Sequence, residues 1–133
     1  MLGVPMRPPE VFEVCLERYR ALRALIDGKI RATDMASPSG GYHWRPERAR
    51  AAEYLADFEM AGWRALRRPM WAGRRRLFLI YFVRGVEYRR AIALVGVPSG
   101  TFDYWTQQVK QSVGRELERA GLFPPSRYFR CRG

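Results

Sequence analysis

The sequence predicts an all-α fold, and three observations carry that expectation. Apolar residues recur every three or four positions over long stretches, the spacing of one helical face. Proline and glycine punctuate those stretches, with Pro8, Pro46 and Pro98 near helix starts and Gly28, Gly96 and Gly121 near helix ends. Nowhere does the pattern ask for a strand. At 133 residues the chain fits one domain of about four or five helices. The expected organisation is an N-terminal helix and flexible loop over 1–43, a helical body over 44–121 and a basic tail over 122–133.

The first helix opens at Pro8-Pro9-Glu10, where proline suits the first turn and Glu10 meets the positive helix end. Its apolar stripe is Phe12, Cys15 or Leu16, Tyr19, Leu22 and Ile26, and it is expected to end near Asp27-Gly28. The period is lost over 28–44, where Ala36-Ser-Pro-Ser-Gly-Gly41 reads as a turn-rich loop. A second helix runs from Pro46 to Arg68, with Ala51, Tyr54 or Leu55, Phe58, Gly62 and Ala65 or Leu66 on its buried side. Arg67-Arg68 would then complement the negative end of that helix. Past a connection at Pro69–Gly73, residues 74–84 are apolar on every side at their centre. Periodicity alone does not separate strand from helix there, but the helical context on both sides favours a central helix, with Leu77, Ile80, Tyr81 and Val83 to Arg84 as the side facing the helix pair at 88–117. The last helix fades at Ala120-Gly121, and the tail after it is either ordered by Phe123, Tyr128 and Phe129 or trails free.

Charge is the compositional outlier. Twenty-four basic residues against 13 acidic ones give a formal +11, which favours phosphate backbones, acidic proteins or anionic lipid surfaces as partners. Almost all the cations are arginine, with Lys29 and Lys110 the exceptions. Cys15 and Cys131 lie far apart, with no ligand spacing around them, so neither a disulfide scaffold nor a metal site is expected and a reduced, cytoplasmic setting is the simplest reading. The longest apolar run, Leu77 to Val83, falls well short of the roughly 20 residues a membrane helix needs, and no membrane partner is expected. His43 stands without a carboxylate or cysteine at useful spacing, and Glu47, Glu53, Asp57 and Glu59 are spread around a helix. No nucleophile set, phosphate loop or nucleotide fingerprint is present, so the expectation is a non-enzyme without a cofactor.

The functional interest concentrates in residues 85–117. Tyr88 to Val95 makes a short helix, Gly96 can take the left-handed conformation that ends it, and Pro98-Ser99 opens a second helix over about 99–117. Two helices joined by so tight a turn make a helix-turn-helix, whose second helix can enter a DNA major groove. Tyr88, Ala91 or Ile92, Leu94 or Val95, Val97, Phe102, Trp105 or Thr106, Val109 and Val113 would form the buried face. The opposite face presents Ser99, Gly100, Asp103, Tyr104, Gln107 and Gln108 towards bases, since an amide can pair with adenine and a carboxylate can accept from cytosine. Arg74, Arg75, Arg76, Arg89, Arg90, Thr101 and Lys110 are the candidates for phosphate contacts, which set orientation without reading sequence.

These residues also resemble a family. Leu77-Phe-Leu-Ile-Tyr-Phe, Gly85-Val-Glu-Tyr and Leu94-Val-Gly-Val-Pro-Ser-Gly-Thr-Phe, within Arg75 to Leu117, follow the pattern of the fourth region of bacterial sigma factors and the phage regulators built on it. The resemblance implies promoter or operator binding, often beside RNA polymerase, by a small phage or prophage transcription regulator acting as a monomer or homodimer. Ala91-Ile92 stand where the family has the reverse order, Arg89-Arg90 replace an acidic pair, and Asp103-Tyr104-Trp105 with Gln107-Gln108 occupy positions usually basic. Two other classes fit the same residues. One is a module docking RNA polymerase or an acidic regulator, and the other a DNA-packaging adaptor like a small terminase subunit, with Phe12 to Ile26 mediating assembly.

Overall fold

In the computed structural model, which describes residues 6–32 and 46–130, the regular elements are all helical and no strand occurs among the described residues. The loop expected at Ala36–Gly41, together with His43 and Cys131, lies outside them. Helix α1 spans Pro8–Ala32 and passes straight through Gly28, where a Cβ would stand in open space. A lone glycine costs a helix only about 1 kcal/mol, and the Arg23–Asp27 pair one turn apart helps carry α1 past the expected end.

Helix α2, Pro46–Ala65, stops earlier than its sequence suggests. Pro69 forces Arg68 into an extended conformation, φ −56° and ψ 137°, so Arg67 and Arg68 belong to the following turn and do not cap α2. A single 3-10 turn at Pro69–Trp71 leads into α3, Ala72–Leu77.

The expected central helix changes character halfway. From Phe78 to Val83 it widens into a π-helix, in which the Arg84 N–H donates to the Leu79 carbonyl at 2.9 Å, one residue further back than in an α-helix. Its aromatic side chains serve two sides. Phe78 stacks on Phe58 of α2 and Phe82 meets Phe12 of α1 edge-on, while Tyr81 packs against Tyr88 and Phe102. Phe78 and Phe82 are buried on these contacts, whereas Leu79 is 44% exposed, so an apolar run here is packed on two sides and open on a third.

Helix α4 covers Tyr88–Val95, α5 Ser99–Arg119 and α6 Pro125–Arg130. Helix α5 is the spine: Phe102, Val109, Val113 and Leu117 are fully buried against Val11, Phe12, Cys15 and Tyr19 of α1 and Tyr54 and Phe58 of α2. The closest approach is at Gly114, where an added Cβ would lie 1.9 Å from the Pro8 carbonyl oxygen. Only glycine lets the start of α1 rest on α5. The C-terminal residues are likewise packed. Leu122 and Tyr128 are buried, the Tyr128 ring meets Tyr54 edge-on, and its hydroxyl donates to Asp57 at 2.7 Å. The stretches read from sequence as 1–43, 44–121 and 122–133 therefore contribute to one core.

Candidate nucleic-acid interface

Local chemistry fixes the corner that presents α5. Both carboxylate oxygens of Glu87 accept backbone N–H bonds, from Arg89 and Arg90 at 3.1 Å each, which caps α4 and holds the Glu87 carboxyl below its usual pKa. Gly96 ends α4 with φ 81°, its N–H donating to Ile92 at 2.8 Å. Pro98 then sets the extended conformation from which α5 starts, and its carbonyl accepts from Phe102 at 2.9 Å. The turn is three residues long, from Gly96 to Pro98.

On the inner side, Ala91, Phe102, Val109 and Val113 are buried as their spacing predicts, and Ile92, Val95, Val97 and Trp105 pack partly against the core. Two candidates for that face differ. Leu94 is 43% exposed and Tyr88 38% exposed. The Tyr88 ring leans on Phe102 edge-on, but its hydroxyl reaches outward and donates to Asp103 at 2.7 Å, a bond that raises the Tyr88 pKa. Leu94 is about 100° around α4 from Val95, which packs on the core in its place.

On the outer side Ser99, Gly100, Asp103, Tyr104 and Gln107 are exposed together, Tyr104 to 61%. Thr101 and Gln108, proposed from sequence for phosphate and base contacts, are only half-exposed. Gln108 is engaged within the chain: its Oε1 accepts from Arg74 Nε at 2.7 Å and its Nε2 donates to the Tyr104 hydroxyl at 3.4 Å. At 3.6 residues per turn, Asp103 and Gln108 lie about 140° apart around α5 and form two rims with Gln107, Gly100 and Tyr104 between them, Ser99 lying about 40° beyond Asp103.

The cations expected at phosphates divide into two groups. Arg89 and Arg90 are exposed in the first turn of α4, beside Tyr88. Others are built into the fold. Arg75 Nη1 donates to the carbonyls of Leu66 and Arg68 at 2.7 and 2.8 Å, and Arg76 Nη2 donates to the Leu94 carbonyl at 2.8 Å. Lys110 pairs with Glu13 and ties α5 to α1. Helix and turn ends leave carbonyls without intrahelical donors, and a long guanidinium reaches them from a neighbouring element. Arg75, Arg76 and Lys110 are thus structural fasteners first. Arg74 lies against two indole rings, 4.6 Å from the Trp71 centroid and 4.8 Å from that of Trp105.

Comparison of the chain with protein-family models, curated proteins and solved structures returns no match. The chemistry of the arc itself is therefore what bears on function. It offers hydrogen-bond donors and acceptors on the exposed side of one helix. Among the described residues no three His, Cys, Asp or Glu side chains gather as metal ligands. Cys15 is buried and its thiol is pushed up to about 11 by burial, which makes it a poor nucleophile. No described helix is long and apolar enough to cross a membrane. Sequence reasoning missed Trp71 as an arginine partner, although the three-residue spacing of Arg68, Trp71 and Arg74 was the available signal.

Proposed function

We propose that the chain binds duplex DNA through α5, with the N-terminal half of that helix in the major groove, and acts as a transcription regulator of the sigma-region-four-like kind. The observation that supports this most is the exposed arc of Ser99, Gly100, Asp103, Tyr104 and Gln107, held out by the Gly96–Pro98 turn. Short side chains at a helix start allow close approach to base edges, Gln107 can pair bidentately with adenine, and Asp103 can accept from cytosine. Arg89 and Arg90 are exposed directly after Tyr88, whose hydroxyl bonds Asp103, and can meet phosphates there, and the +11 field draws the polyanion in. The one buried residue of α4 is the small Ala91, which is compatible with a close helix approach in a helix-turn-helix.

The test is selection of bound duplexes from a random pool at two salt concentrations. A recurring motif is expected, with affinity falling steeply as salt rises. Gln107→Ala should lose about 1–3 kcal/mol of discrimination at one position of that motif. A bound pool without any motif would reject base reading by α5. The exposure of Tyr104 and Leu94 on the same corner favours one competing reading, a docking site for RNA polymerase or another protein. Partner binding that survives high salt, with no DNA shift at low salt, would select it.

A further inference from the structure

From Met60 to Val86 the chain carries no acidic residue, yet it places Arg68, Arg74 and Arg75 against tryptophans. Arg75 spends donors on two backbone carbonyls. Among the described residues, Arg68 and Arg74 do not. Both lie by the Trp71 ring, at 5.4 and 4.6 Å from its centroid, and Arg74 also lies 4.8 Å from the centroid of Trp105. Nε of Arg74 is held by Gln108, and its terminal nitrogens make no hydrogen bond among the described residues. Neither arginine is in an ion pair among those residues.

The arrangement is built for Arg74. Gly73 carries no side chain, and a Cβ there would lie 2.6 Å from two atoms of the Trp105 ring, so glycine is what lets the indole settle beside Arg74. A free arginine gives up rotamer entropy when it grips an anion; stacking and the Gln108 bond have removed much of that freedom in advance. The guanidinium remains charged despite its partial burial. Gln108 marks one rim of the α5 arc, and Tyr88, with Arg89 and Arg90 after it, is bonded to the other rim at Asp103.

We infer that Arg74 and Arg68, ordered on Trp71 and Trp105, form a second phosphodiester clamp, which grips the DNA strand on the Gln108 side of α5 while Arg89 and Arg90 meet the other. This rests on duplex DNA being the partner. A helix in the major groove lies between two backbones, and cations on both rims would fix its orientation. A planar guanidinium also matches phosphate oxygens in pairs.

The experiment is a salt titration of fluorescence anisotropy with a labelled duplex of arbitrary sequence. The slope of log affinity against log salt counts phosphates neutralised, about 0.9 per contact. The R68Q/R74Q double variant should be shallower than wild type by about 2, while the charge-matched R115Q/R127Q variant, altered at exposed arginines elsewhere, should keep the wild-type slope. Gly73→Ala retains every charge but unseats Trp105, and should weaken binding severalfold with a shift in tryptophan emission. If the double variant fails to fold by circular dichroism, Arg68→Gln alone should lower the slope by about 1. An unchanged slope in R68Q/R74Q, or in Arg68→Gln where only that folds, overturns the clamp, even where the random-pool selection yields a motif and base reading stands. A shallower slope without any motif keeps the clamp and removes base reading. Wild-type protein that ignores duplex at low salt but binds polyglutamate overturns both and assigns an acidic protein partner.

Discussion

Glu87 stands at the corner where the chain enters α4, and its carboxylate accepts from two N–H groups that have no helical carbonyl to bond. Those bonds lower its pKa in the folded state, so its contribution to stability is present above the ordinary glutamate value of about 4.5 and is lost as pH falls below it. Wild type should therefore melt above Glu87→Ala at neutral pH, with the two melting temperatures converging in acid. A gap that persists at acid pH would mean that the carboxylate is not the cap. The same scale explains the division among the arginines. Arg75 and Arg76 are no different in kind from Arg89 and Arg90, but carbonyls of Leu66, Arg68 and Leu94 lie within their reach. Type and charge were legible at each position; what each guanidinium touches was not.

The helices themselves were largely legible, because their signals are local. Pro8, Pro46, Gly96 and Pro98 mark boundaries that hold in the structure, and the stripe of α1 from Phe12 to Tyr19 is buried as its period requires. Misjudged ends followed from competing local terms. Gly28 was too weak a breaker, and Pro69 acted one residue before itself, on Arg68. The π segment at Phe78–Val83 had no local signal, since an all-apolar run has no polar side from which to judge its coil. Of the turns, Gly96 has the plainest consequence. Its φ of 81° is one that an L side chain adopts at a cost, so Gly96→Ala should lose about 1–2 kcal/mol in denaturant unfolding. An unchanged midpoint would show that the turn can relax elsewhere without disturbing α5.

At the level of the whole molecule, the start of α1 and helix α6 both close the core. Pro8 rests on Gly114, and α6 covers Tyr54 through Tyr128 and Phe129. Arg50 secures that cover by donating to the Tyr128 carbonyl at 2.8 Å while stacking 4.0 Å from the ring centroid. Tyr128→Ala removes a buried aromatic ring and the bond to Asp57, and should cost about 3 kcal/mol in denaturant unfolding. A loss near zero would mean that α6 adds nothing to the core despite its packing on Tyr54. The outward arc of α5 also belongs to this scale, because α1 and α2 pack against the other side of that helix and leave its polar residues exposed.

By itself the sequence determined that the chain is helical, that a tight glycine–proline turn precedes a helix with one apolar and one polar side, and that the molecule is strongly cationic. Helix signals act over three or four residues, and charge is a sum over the chain, so neither depends on contacts between distant segments. Only the tertiary structure decided which cations face outward and which are held, because that depends on carbonyls and indole rings brought near from other elements. Arg74, for example, is four residues from Phe78 in the chain, but its bond is to Gln108 across the packing of α3 on α5.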